Sequence, residues 1–386
     1  MADRAKHCRP AVFRLRFPWP HAPCPIATEV LHRMTLSIAT LTLRQRIAQM
    51  LLLGFRGCHA ADCSAVLRDI RDPGVGGVIL FDRDVSDPTL PRRNIESPEQ
   101  VRRLLAALQA AAPIPLLTAI DQEGGQVNRL KAAYGFPESR SHAELGRQDD
   151  TAASYREAAL IARTLAAAGF NFNLAPVVDL DANPRNPIIR ARERCFAADP
   201  EAVSRHALAF VQAHREQGVL CCAKHFPGHG SAAGDTHAGF VDVTATWTDR
   251  ELVPFQRLVE AGSCSAVMSA HVFNAKLDPE YPATLSQAVL TGLLRERLGF
   301  EGLIVSDDMQ MGAITQRYGL QQAVERAVAA GVDMLCFGNN LQFDEGIAGK
   351  VVDILERAVA EGRLARSRID ASCARVLALK GALPAA

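Results

Sequence analysis

Residues 224–240, KHFPGHGSAAGDTHAGF, put a lysine, three histidines and an aspartate into one short segment. Asp235 and His237 stand two apart. A carboxylate beside an imidazole favours the imidazolium and orients the ring. Such a ring can protonate a leaving group and then take a proton from water. Gly228, Gly230, Gly234 and Gly239 allow tight turns around this pair. His225, His229, Asp235 and His237 are also zinc-ligand types, but the i, i+4 histidine pair flanks Pro227-Gly228 and is not on a helix. We expect no metal there. Other reactive types cluster at Asp121-Gln122-Glu123-Gly124-Gly125, at His271 and at Ser306-Asp307-Asp308. One aspartate alone reads equally well as a helix N-cap. Carboxylates, histidines and a lysine converging on one mouth are costly unless a ligand or mutual pairing compensates them.

Each cluster follows a short apolar run. The candidate strands are Leu51–Phe55, Val75–Phe81, Pro115–Ile120, Asn171–Val178, Val219–Lys224, Ala266–His271, Leu303–Ser306 and Met334–Phe337. Continuous apolar runs of this length suit a parallel sheet buried on both faces. Amphipathic segments alternate with them, near 151–168, 199–216, 248–261, 286–298 and 318–330. Ser97-Pro98-Glu99-Gln100 reads as a capping box opening a helix to about Ala111. Residues 343–380 read as two further helices packed outside. The alternation predicts an α/β fold, a TIM-type (β/α)8 barrel over residues 36–386 with extra C-terminal helices and the site at the C-terminal strand ends. The competing doubly wound sheet wants G-x-G-x-x-G after the first strand, and Gly54-Phe55-Arg56-Gly57 lacks that spacing.

Composition narrows the partners. A net charge of +1 provides no field for nucleic acid or anionic membrane. No apolar run approaches the 18 residues or so of a membrane span. The ten cysteines form no C-x-x-C pair and read as free thiols in a reducing cytoplasm. Residues 1–35, rich in Arg and Pro and without a continuous apolar segment, read as a disordered extension rather than a signal peptide. A monomer is expected.

DQEGGQVNRL (121–130), LAPVVDL (174–180), KHFPGHG (224–230) with a following D-T-H, PATLS (282–286) and SDDM (306–309) occur in the order seen in glycoside hydrolase family 3, which the chain resembles over about 42–380. KHFPGHG followed by D-x-H resembles its β-N-acetylglucosaminidase branch. The resemblance implies Asp307 as nucleophile, with Asp308 supporting, and His237 held by Asp235 as acid/base. It implies that Asp121, Arg129, Arg194, Lys224 and His225 hold the sugar. Cys195 departs from the usual E-R-S-F, beside Arg194. Larger family members take their acid from a second domain. The chain as it stands leaves no room for one, so the acid is expected within 231–240. The implied activity is retaining hydrolysis through a glycosyl-enzyme, without metal or organic cofactor. The implied substrate is β-linked GlcNAc on 1,6-anhydro-N-acetylmuramic acid, with or without peptide, in cytoplasmic peptidoglycan recycling. Alternatives are another family 3 exo-β-glycosidase (glucosidase or xylosidase), a non-catalytic sugar-binding barrel, or a phosphate-binding aldolase-type barrel.

Overall fold

Short runs of apolar residues become strands here because helices cover one face of the sheet and its own interior fills the other. The computed structural model describes residues 38–90 and 92–383. The expectation for residues 1–35 lies outside the described residues. The strands are β1 (Leu51–Gly54), β2 (Gly77–Leu80), β3 (Leu117–Ile120), β4 (Phe172–Asn173), β5 (Leu220–Phe226), β6 (Ala266–Ser269), β7 (Leu303–Ser306) and β8 (Leu335–Phe337). All neighbours pair in parallel, in the order β8-β1-β2-β3-β4-β5-β6-β7. The ring closes between β7 and β8: Val305 bridges Met334, and the Ser306 amide donates to Met334 O at 2.9 Å. The expected (β/α)8 barrel is therefore present.

The differences from expectation are local. The predicted fourth strand, 171–178, pairs regularly only over Phe172–Asn173. Pro176 has no N–H to give the ladder, and pairing resumes as the single bridge Val177–Lys224. Ser97 Oγ accepts the Gln100 amide at 3.2 Å, but Gln100 Oε1 turns back to the Glu96 amide at 2.8 Å. The capping box is thus half formed. The predicted helix near 286–298 is π-wound over Ala288–Arg297, with Leu298 N bonded to Leu293 O at 3.0 Å.

The barrel interior is filled by Leu52, Ile79, Leu117, Phe172, Cys222, Met268, Val305 and Met334, with Val376 entering from the C-terminal helix Arg366–Gly381. That helix closes the end opposite the reactive residues. Asp333, fully buried, fastens it. Its Oδ1 takes Arg368 Nη2 and Ser372 Oγ, both at 2.9 Å, and Arg375 Nη1 at 3.3 Å, while Oδ2 takes the Ile304 amide at 3.1 Å and pairs with Arg295. Removing the carboxylate strands partly buried guanidinium charge. Asp333→Ala is expected to cost about 3–5 kcal/mol in denaturant unfolding. Arg375→Ala, at a 35% exposed side chain, should cost less than about 1 kcal/mol. Equal, small losses for both would remove the clamp.

Candidate functional site

Charged side chains at the ends of β3 and β5 form one alternating chain. Lys224 Nζ lies 2.7 Å from Asp121 Oδ1 and 2.7 Å from Glu123 Oε1. Arg194 forks onto Glu123, with Nε and Nη2 each 2.8 Å from a carboxylate oxygen. Its Nη1 donates to Ile188 O at 3.2 Å and its Nη2 meets His225 Nε2 at 3.2 Å. A guanidinium has five N–H bonds. Four are engaged, which leaves one on Nη1. Arg129 Nη2 is 3.4 Å from Asp121 Oδ2. Burial pushes both carboxyls up, but Lys224 and Arg129 around Asp121, and Arg194 and Lys224 around Glu123, hold them below the ordinary range. Burial lowers Lys224, and the two carboxylates more than reverse that. The network is ionised and fixed, and Asp121 and Arg129 remain partly exposed within it.

Its placement follows from local sequence. The DQEGG segment folds back as a hairpin, Gln122–Gly124 against Val127–Asn128. Gly124 and Gly125 take positive φ there, and a Cβ on Gly125 would sit 2.5 Å from Ser141 Cβ. Gln122 Oε1 accepts the amides of Arg129 and Leu130 at 3.0 and 3.1 Å, which presents Arg129 beside Asp121.

At β5, His225 Nδ1 lies 2.6 Å from Asp179 Oδ2, and Asp179 Oδ1 accepts the His225 and His229 amides at 3.3 and 2.7 Å. The carboxylate fixes the Nδ1–H tautomer, so Nε2 accepts from Arg194. Glu251 Oε2 accepts the Gly230 and Ser231 amides at 3.0 and 3.4 Å and braces the rest of the loop.

Asp307, at the end of β7, is half-buried and open to the mouth. Its Oδ1 accepts the Asp308 amide at 2.8 Å. Burial would raise its pKa, but the imidazoles of His225, His271 and His237 bring it down to about 2. Asp308 instead accepts the Gln310 and Gly338 amides at 3.0 and 3.1 Å, and burial raises it to about 6. His271 Nε2 donates to Asp308 O at 2.9 Å while Nδ1 meets Thr284 Oγ1 at 2.8 Å.

His237 Nδ1 is 2.8 Å from Asp235 Oδ1, which also accepts the His237 amide at 2.9 Å. Burial lowers the His237 pKa, but the Asp235 hydrogen bond and the charge of Asp307 raise it further, for a net increase. The loop carrying this pair is tied to the segment that follows Asp307. The amides of Gly312 and Ala313 donate to His237 O and Thr236 O, both at 3.1 Å, and Gln316 Nε2 donates to Ala238 O at 2.9 Å. Only glycine permits this approach at 312, where a Cβ would lie 2.8 Å from His237 O.

The structure thus brings Asp121, Arg129, Arg194, Lys224, His225, Asp235, His237 and Asp307 to one end of the barrel. His225 and His237 each face their own carboxylate. Among the described residues, no three His, Cys, Asp or Glu side chains are gathered as a metal cluster. Glu123 and Asp179 were not singled out from sequence. Their signal was position alone: one lies two residues beyond Asp121, the other closes the fourth apolar run. Glu251 carried no signal.

A parallel (β/α)8 barrel whose mouth holds an ionised carboxylate, a carboxylate-backed imidazole and paired cations has the equipment of a hydrolytic enzyme for polar substrates. The chain belongs to glycosyl hydrolase family 3, since residues 42–379 match the family's N-terminal domain. It is 35% identical over 315 residues to a β-hexosaminidase of Thiobacillus denitrificans, covering 79% of this chain and 82% of that one. Among solved structures it is similar to a family 3 β-N-acetylglucosaminidase from Paenibacillus (37% identity, TM-score 0.81), covering 90% of this chain and 64% of the other. A β-N-acetylhexosaminidase from Beutenbergia cavernae is 30% identical with TM-score 0.78, covering 89% and 99%. Among the described residues no helix is long and apolar enough to cross a membrane.

Proposed function

We propose that the chain is a retaining β-N-acetylhexosaminidase that removes non-reducing β-linked GlcNAc from muropeptides in cytoplasmic peptidoglycan recycling. Asp307 attacks C1 of the sugar while His237 Nε2 gives its proton to the departing glycosidic oxygen. The resulting glycosyl ester is opened by a water whose proton returns to His237, and Asp307 leaves as carboxylate. Asp235 holds the ring and favours its charged form. Asp121 accepts from sugar hydroxyls, Lys224, Arg129 and Arg194 supply donors, and His225 fixes the pose by holding Arg194.

The observation that carries this reading is the tie between the two loops. Backbone bonds from Gly312 and Ala313 seat the Asp235/His237 pair over the segment that begins at Asp307. The names of the relatives support the amino-sugar specificity. With p-nitrophenyl β-GlcNAc, proton NMR should first show β-GlcNAc, the retained anomer. Aryl β-glucoside and β-xyloside should be cleaved at least about a hundredfold more slowly, since the buried donors lose their acetamido partner. Initial release of the α-anomer, or a faster glucoside, would sink the proposal.

A further inference from the structure

Protonation by His237 requires the leaving group to lie beside the loop that carries it, residues 235–240. Three side chains gather there, none used by the chemistry above. Phe240 is three residues beyond His237, and its ring centroid lies 5.3 Å from that of Phe273 on the loop after β6. Arg317, on the loop after β7, stacks its guanidinium carbon 3.5 Å over the Phe240 ring. The three loops are fastened together. Phe273 N donates to Val241 O at 2.8 Å, and Gln316 Nε2 holds Ala238 O at 2.9 Å.

Arg317 is exposed, and its side chain has no hydrogen-bond or carboxylate partner among the described residues. Most other arginines near the mouth are neutralised: Arg194 by Glu123, Arg129 by Asp121 and Arg56 by Asp84. Stacking on an aromatic ring pre-orders the planar fork without consuming its N–H groups. An ordered, unpaired fork selects a carboxylate, and the half-buried Phe240 and Phe273 rings suit the apolar face of a sugar.

We propose that Arg317, Phe240 and Phe273 form the subsite for the leaving group and that it takes an aglycone bearing a carboxylate. The assignment rests on the hydrolase reading for its direction. The carboxylate has two sources on a muropeptide, the lactyl group and the stem peptide.

The test uses three ligands: the GlcNAc–anhydro-muramic acid disaccharide with its free lactyl carboxylate, its lactyl carboxamide, and the peptide-bearing form. Binding is measured by calorimetry in an Asp307→Ala background, and turnover in the otherwise unaltered enzyme. At low salt the free acid should bind about tenfold more tightly than the carboxamide. Arg317→Gln should bring that ratio close to one, and Arg317→Lys should leave an intermediate ratio. Arg317 dependence of the peptide form, whose lactyl group is already an amide, would assign the contact to a peptide carboxylate. Ratios unmoved by Arg317→Gln for every ligand overturn the subsite. Discriminating binding without turnover in the unaltered enzyme would instead overturn the hydrolase reading and leave the subsite standing.

Discussion

Asp307→Ala should lower kcat on p-nitrophenyl β-GlcNAc by on the order of 10⁴-fold or more, with little change in thermal unfolding. The size follows from what the carboxylate is placed to do. Its pKa of about 2 keeps it ionised at every working pH, which suits the proposed nucleophile and not a proton donor. In the proposed mechanism His237, whose charged form is favoured, also stabilises the carboxylate as it is released from the glycosyl ester. Azide should partly restore activity by occupying the vacated volume and attacking from the same face, giving the α-glycosyl azide. With the native enzyme, a 2-acetamido-2-deoxy-5-fluoro glycoside should label a peptide containing Asp307. An alanine variant within tenfold of wild type, or a label on another peptide, removes Asp307 from that role.

The parts of this site differ in how far they can be read without coordinates. Strand positions are legible because burial on both faces writes itself as an unbroken apolar run, as in Leu303–Ser306. The ends of runs are less so. Pro176 interrupts pairing that hydrophobicity alone would carry through Val178. Asp307 and the Asp235/His237 pair are visible as polar residues after such runs or as a tight local spacing. The partners of Arg194 and His225 are not. Glu123 and Asp179 are joined to them across 71 and 46 residues of chain, and nothing in a local pattern reports contacts of that span. The same holds for Glu251, whose role depends on two backbone amides in another loop. Gly312 is a subtler case. The reason for glycine there, contact with the His237 carbonyl, belongs to the folded barrel.

His237→Ala should reduce kcat/KM by roughly 10²–10⁴-fold for substrates with poor leaving groups, and far less for dinitrophenyl β-GlcNAc, whose departing phenolate needs no proton. A defect equal for both leaving groups would make His237 a binding residue rather than a proton donor. The pH profile carries a second, independent sign. The proposed donor is the imidazolium, so activity should fall as pH rises through the His237 pKa. That pKa lies above the ordinary histidine value because the Asp235 hydrogen bond and the charge of Asp307 outweigh burial. Removing either carboxylate withdraws stabilisation from the charged ring, and Asp235→Ala should therefore move the alkaline limb to lower pH. The acid side should not change in the same way, because Asp307 stays ionised down to about 2. An alkaline limb that stays in place in Asp235→Ala would mean that another group controls the proton. The candidates then are the ionisable side chains that share the mouth, with Asp308, raised to about 6, the first to replace.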